Sequence, residues 1–366
     1  MNNLNFDFYC PTRIYFRNEG VSQIGNIIKE DFSFSKVFFV YGKHSCKESG
    51  LYKKVTDSLK ENGIQFEEYS GIAANPDVED VNNMVKLARK FKPDLILACG
   101  GGSVLDASKS LAHAYYYDGN PLDFNKHLIE PLHALPIATI ITLSASGSEM
   151  SDSCVISDRK HNFKGGFNCQ SNYPLFSLLD PSLTLSVSPY QVGVGLADMF
   201  SHSMERYFSP SAELEPCDNL ALGILKSIVS TSEKVISDPT DIMARRAMMI
   251  DGALAHDGFT NFGKPKQFIV HKAEHRLSGH YPLLAHGQGI ALLLVPYLSI
   301  NKKVFEKKLI PFGKTVFSLE GDITIEDSIN ALDKWIHTLP IYQSFDSLPF
   351  KIEENDIKKA LETLEI

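Results

Sequence analysis

Five of the chain's twelve histidines, His256, His271, His275, His280 and His286, crowd between positions 256 and 286. His271 and His275 are four residues apart and share one helical face, as do Asp198 and His202 on an earlier helix that also carries Glu205. One carboxylate with two or three imidazoles is a borderline N/O donor set that suits Fe2+ or Zn2+ better than Mg2+ or Ca2+. A lone histidine on an apolar face is ordinarily a satisfied core residue, and neither spacing is specific by itself. That bland reading weakens where an Asp-x-x-x-His helix and a His-x-x-x-His helix occur in one chain with a histidine beside glycine, in Ala285-His286-Gly287. His256 stands outside both pairs and His280 in a loop, so both read as structural or supporting residues.

A second constellation precedes these. Ala98-Cys-Gly-Gly-Gly-Ser-Val-Leu-Asp106 ends a strand pattern and opens a helix pattern. That geometry offers free backbone N–H groups and a positive dipole end to an anion. The spacing is not Gly-x-Gly-x-x-Gly, so the dinucleotide fingerprint is not met, and three glycines alone mark tight packing as readily as phosphate binding. A polar loop, Thr142-Leu-Ser-Ala-Ser-Gly-Ser-Glu149, follows the next strong strand at the same carboxyl edge, where open α/β sheets bind ligands.

Positioning these residues requires two kinds of framework. Up to about residue 185, short β-branched or aromatic runs (Val37 to Tyr41, Asp94 to Ala98, Leu135 to Thr142) alternate with helical periodicity (Leu51, Val55, Leu59; Val78, Val81, Val85, Ala88), the pattern of βαβ units on a parallel sheet. Beyond Asp180-Pro181 helical patterning takes over (Val192, Leu196, Met199; Ala221, Ile224, Ile228). We expect an α/β domain over 1–185 and an all-α domain over 186–366, with a cleft between them. Residues 352–366 read as a charged amphipathic helix with a solvated face. The length of 366 residues suits two domains, since single cores stop growing near roughly 250 to 300 residues. With 36 Lys and Arg against 44 Asp and Glu, the chain lacks the basic stripe of a nucleic-acid binder. No apolar run reaches the roughly 20 residues that span a bilayer. Six scattered cysteines without a Cys-x-x-Cys pair, and an opening without a secretory pattern, point to a reduced cytoplasmic protein.

Taken in order, Gly100-Gly-Gly-Ser-Val-Leu-Asp106, Ser146-Gly-Ser-Glu149, Gly195-Leu-Ala-Asp-Met-Phe-Ser-His202, His271-Lys-Ala-Glu-His275 and His286-Gly287 resemble the iron-containing (group III) alcohol dehydrogenases. The nearest likeness is the NADPH-dependent butanol dehydrogenase or aldehyde reductase branch, to whose openings Phe6, Tyr9, Pro11, Thr12 and Tyr41-Gly42 are similar. The resemblance covers nearly the whole chain. It implies a dinucleotide-binding α/β domain and a helical metal domain of the dehydroquinate synthase-like fold, acting as a homodimer on a small alcohol or aldehyde. By the same resemblance Asp198, His202, His271 and His286 fall on metal-ligand positions and His275 on a proton-transfer histidine. Gly101, Gly102 and Ser103 match the pyrophosphate loop, and Asn75, Asp106, Thr142, Ser146, Lys164 and Leu183 match other cofactor contacts. Two departures stand out. One extra residue lies between His271 and His286, which makes His280 an alternative fourth ligand, and Ser146 replaces the family's usual threonine.

A divalent metal on one carboxylate and three imidazoles keeps an open position for an alcohol or carbonyl oxygen. His275, one helical turn from His271, would relay the proton. The turn Tyr41-Gly-Lys-His-Ser45 has no acid before Glu48 to bind a ribose 2′-hydroxyl, so NADP(H) is expected ahead of NAD(H), with Gly42, Lys43 and Ser45 near the phosphate. Fe2+ is the expected metal, with Zn2+ or Ni2+ as alternatives. The rival readings are an NAD-using glycerol or polyol dehydrogenase, a lyase of the same fold, a two-His one-carboxylate oxygenase, and a non-catalytic nucleotide-binding relative.

Overall fold

The computed structural model describes residues 6–209, 214–264 and 267–366; residues 1–5, the start of the opening that lacks a secretory pattern, lie outside them. The chain divides into two compact units. Of the described residues, 9–144 and 148–186 make up one; those from Val187 onward, with the excursion 145–147 and residues 6–8, make up the other.

The first unit is built on strands β1 (Arg13–Phe16), β2 (Lys36–Gly42), β3 (Gln65–Ile72), β4 (Leu95–Gly100), β5 (Ile137–Ile141) and β8 (Phe176–Leu179), paired in parallel in the order β1-β8-β5-β4-β2-β3. Every residue of β4 and β5 is buried. Continuous apolar runs are what a parallel sheet covered on both faces requires. The chain leaves β2 for β3 on one side and returns through β4 on the other, so the strand order reverses at the carboxyl ends of β2 and β4. That is the topological switch point at which such sheets bind ligands. Tyr41 is in register with Cys99, which puts Gly42 and the Gly100 loop on one edge.

Helix α1 (Leu51–Glu61) buries Leu51, Val55 and Leu59 as its spacing predicts. In α2 (Val78–Phe91) the buried stripe is Val78, Val81, Met84 and Ala88, with Val85 only half-buried. Asp77 caps α2 by accepting from the Glu79 N–H at 3.0 Å, and Lys92, left-handed at φ 58°, ends it before Pro93. Helix α3 (Gly102–Ala114) starts directly from β4. An antiparallel hairpin, β6 (Ser153–Asp158) with β7 (Phe163–Asn168), went unread in the sequence because the Gly165-Gly166 pair of β7 carries little strand signal. The strand runs read from the sequence also do not include β1, β3 or β8.

The second unit is helical: α4 (Pro189–Tyr207), α5 (Glu215–Ser237), α6 (Ile242–His256), α7 (Ile269–His280), α8 (His286–Ile300), α9 (Glu306–Val316), α10 (Ile325–Thr338) and α11 (Glu354–Glu362). Ser188 caps α4 on the Gln191 N–H, with Pro189 supplying the first-turn dihedral. The core runs through Leu196, Phe200, Leu225, Ile228, Leu294, Phe312 and Leu332. Helix α11 is charged outside but anchors Ala360 in this core. Among the described residues no helix is long and apolar enough to cross a membrane.

Candidate active site

Helix α4 buries Asp198 and His202, spaced one turn apart, and α7 brings up His271. Around the Asp198 Oδ1 atom stand the Nε2 atoms of His286 at 3.5 Å, His271 at 3.6 Å and His202 at 3.9 Å. The Nε2 atoms of His202 and His271 are 3.0 Å apart. His286 is the first residue of α8, and its approach depends on its neighbour. A Cβ on Gly287 would lie 1.9 Å from the Val194 carbonyl oxygen of α4, so only glycine lets α8 cross α4 closely enough.

Two carboxylates stand behind the imidazoles. Glu205 Oε1, fully buried, faces His271 Nδ1 at 2.5 Å, and it also accepts from Ser201 Oγ at 3.0 Å while Oε2 accepts from the Val270 N–H at 2.7 Å. Glu274 faces His286 Nδ1, in space left open by Gly289, where a Cβ would meet the Glu274 Cγ at 2.8 Å. A carboxylate only accepts, so each of these Nδ1 atoms carries a proton, and in the neutral imidazole each Nε2 presents a lone pair toward Asp198. Asp198 Oδ1 is buried and has no hydrogen-bond donor among the described residues. A buried acceptor ringed by lone pairs is unsatisfied until a cation joins it, and the donors suit a divalent transition metal.

The electrostatics agree. Burial opposes charge on His271, yet Glu205 and Asp198 outweigh it and push its pKa up to about 9. The same carboxylate charges that favour a proton on His271 favour a metal cation in its place. Burial, then the neighbouring His256 and His271, hold His202 well below the usual histidine range.

The other sequence candidates fall as follows. His275 is half-buried, its ring 5.4 Å from that of His286 and 6.4 Å from that of His271. His280 is not in a loop: it is the last residue of α7, exposed, with Nδ1 on the Arg276 carbonyl, because the helix runs a full turn past His275. The structure thus brings His286, and not His280, to Asp198. His256, set aside as supporting, ends α6 and stacks on His202 with centroids 4.0 Å apart.

On the α/β unit, Gly101 caps α3 and Gly102 and Ser103 form its first turn, where backbone N–H groups have no intrahelical acceptor. A Cβ on Gly100 would meet Val104 at 2.5 Å. Asn75, left-handed at φ 53°, accepts from Lys164 Nζ at 2.9 Å, so these two candidates, far apart in sequence, form a pair. Asp106 accepts from Ser148 Oγ at 3.1 Å and Thr142 donates its N–H to the Gly100 carbonyl at 3.1 Å. Leu183 packs on the apolar core, and Gly42 ends β2. Ser146 differs from these, since residues 145–147 belong to the helical unit. The buried Lys109 was not singled out by sequence. Its ammonium donates to the carbonyls of Ser148, Ser151 and Ser153 and to Ser148 Oγ at 2.8–2.9 Å, pinning the polar loop to α3. Its signal was the one Lys in a helix of mostly small and apolar residues, one turn after Asp106. Glu205 carried a signal too, lying seven residues after Asp198 on the same face.

A glycine-loop α/β unit followed by a helical unit with a carboxylate–histidine cluster defines a metal-dependent nicotinamide dehydrogenase. Residues 11–181 match the model of iron-containing alcohol dehydrogenases, and residues 194–363 match the C-terminal model of the Fe-containing alcohol dehydrogenase family. The chain is similar to NADH-dependent butanol dehydrogenase A of Clostridium acetobutylicum, 35% identical over 97% of this chain and 90% of that one. It is similar to the NADPH-dependent aldehyde reductase YqhD of Escherichia coli, 31% identical over 92% and 87%. Among solved structures, NADH-dependent butanol dehydrogenase A of Thermotoga maritima superposes with a TM-score of 0.92 at 33% identity, covering 98% and 90%. The chain belongs to the iron-containing alcohol dehydrogenase family and is an NAD(P)-dependent alcohol dehydrogenase.

Proposed function

We propose that this enzyme interconverts a small primary alcohol and its aldehyde with NADP(H) and Fe2+, Asp198, His202, His271 and His286 holding the metal and His275 moving the proton. The observation that carries this reading is the convergence of three histidine Nε2 atoms on the donorless Asp198 Oδ1. When bound, the cation supplies a Lewis acid for the carbonyl oxygen and the nicotinamide supplies the hydride. The chain's own residues do the rest. The Gly102 and Ser103 N–H groups receive the pyrophosphate at the positive end of α3, with Gly101, Asp106, Thr142, Ser146 and Leu183 as further cofactor contacts. The Asn75–Lys164 pair puts a cation beside the nucleotide. Glu205 and Glu274 keep two imidazoles turned with Nε2 inward, and His275 gives the product oxygen its proton.

The preference for NADP(H) is supported by the turn after β2. Gly42-Lys43-His44-Ser45 presents a lysine and no carboxylate, so nothing there repels a 2′-phosphate. The relatives include both NADH- and NADPH-dependent enzymes. Metal analysis together with oxidation of NADPH by butyraldehyde tests the activity, and the ratio of kcat/KM for NADPH and NADH tests the cofactor. A clear NADH preference overturns the cofactor reading. Loading with Fe2+, Zn2+ and Ni2+ in turn tests the metal, with the highest turnover expected for Fe2+. A homodimer working in the reducing cytoplasm completes the proposal, the first checked by light scattering on the purified protein and the second by cell fractionation. The six free cysteines fit that compartment.

A further inference from the structure

His202 is held differently from the other two imidazoles. Among the described residues no carboxylate stands behind it, and its buried Nδ1 has no hydrogen-bond partner. What lies against its ring is the ring of His256, stacked nearly parallel at 15°, with Phe268 edge-on to both at 5.9 and 6.0 Å. His256 is in turn oriented by a bond outside the helices: its Nδ1 lies 2.6 Å from the Ser146 carbonyl oxygen, so Nδ1–H donates there. The segment 145–147 is seated on α6 at a glycine: a Cβ on Gly147, at φ +61°, would meet the Gly252 carbonyl at 2.5 Å and His256 Cβ at 2.7 Å. Movement of this loop therefore moves His256, and His256 cannot turn without breaking its stack on His202.

We propose that His256 is a positioning residue that couples the Ser146 loop to His202, so that nucleotide bound at the loop tightens metal retention, and the metal tightens nucleotide binding by the same factor. The inference rests on the functional reading above, in which His202 is a metal ligand and Ser146 a cofactor contact.

The test measures Zn2+ affinity by chelator competition on the full chain, with and without saturating NADP+, and NADP+ affinity with and without Zn2+. Wild type is expected to bind Zn2+ at least about five-fold more tightly with NADP+ present, the lower end of ordinary site-to-site coupling, with the reciprocal effect equal in size. His256→Phe keeps a flat ring on His202 and removes the donor to Ser146. It should hold Zn2+ alone within about three-fold of wild type while the coupling factor falls below about two, against that same five-fold scale. His256→Asn keeps a donor in the Nδ1 position and removes the ring. It should also lose the coupling, and it should bind Zn2+ more weakly in both states; it decides the matter if the Phe variant does not fold. Coupling that persists in either folded variant overturns the inference, since nucleotide would then be shielding the metal directly. Separate binding of Zn2+ and NADP+ to wild type without linkage overturns the inference alone. Failure of wild type to bind one of them overturns the functional reading with it.

Discussion

Replacing Glu205 by glutamine changes one atom's chemistry and leaves the side-chain shape intact, yet the structure allows glutamine no satisfactory orientation. Three donors converge on the carboxylate: His271 Nδ1–H and Ser201 O–H on Oε1, and the Val270 N–H on Oε2. Glutamine has one oxygen. If it faces His271, the amide NH2 confronts the Val270 N–H, and a buried donor loses its acceptor at about 1–3 kcal/mol. If it faces Val270, the NH2 donates to His271 Nδ1, which moves the imidazole proton to Nε2 and removes the lone pair aimed toward Asp198. Either way the cost falls on the metal-binding form of His271. At about 1.4 kcal/mol per decade it corresponds to roughly 5- to 150-fold weaker binding, in line with the 10- to 100-fold typical of groups behind a metal ligand. The assay is Zn2+ competition against a chromogenic chelator, with circular dichroism to confirm the fold. A Glu205→Gln protein that binds Zn2+ within about two-fold of wild type, well inside that range, refutes the argument that this carboxylate sets the His271 tautomer.

Other consequences can be measured on the same protein. His275→Ala should retain its metal by elemental analysis and lose turnover by roughly ten- to a thousand-fold, on the scale of general acid–base catalysis; an unchanged kcat removes His275 from proton transfer. Burial, opposed by Lys109, raises the Glu149 carboxyl from its ordinary 4.5 to about 7, so the folded state binds more protons than the unfolded state between those values and stability declines as pH rises through that window. Glu149→Gln should abolish that decline, and its stability relative to wild type should grow by up to about 3 kcal/mol between pH 5 and pH 8 in urea titrations; a constant difference disproves the assignment. Lys109→Met should remove the ammonium donor shared by the carbonyls of Ser148, Ser151 and Ser153, lowering stability by about 1–3 kcal/mol and weakening nucleotide binding through the loosened loop, as read by melting and by NADP+ titration. Wild-type Tm in that variant contradicts the pinning role.

The elements legible in sequence were those whose signal is local. Buried strands such as Leu95–Gly100 advertise themselves as uninterrupted apolar runs, and Asp198 and His202 declare a shared helical face by being four apart. The edge strand Arg13–Phe16 and the glycine-bearing hairpin strand Phe163–Asn168 are held by partners rather than by propensity, and so left little trace.

Composition and spacing by themselves determined that there is a glycine loop at a strand end, a pair of metal-competent helices and a helical second half. Only the tertiary structure decided that His286 and not His280 meets Asp198, that Glu205 and Glu274 stand behind two imidazoles, and that His256 lies on the third. Periodicity reports which residues share one helix, whereas His202 and His271 are 69 positions apart and meet only because separate helices pack at particular distances. Those distances are set by non-local sterics, such as the lack of a Cβ on Gly287 against the Val194 carbonyl, and no window of sequence contains both partners' coordinates.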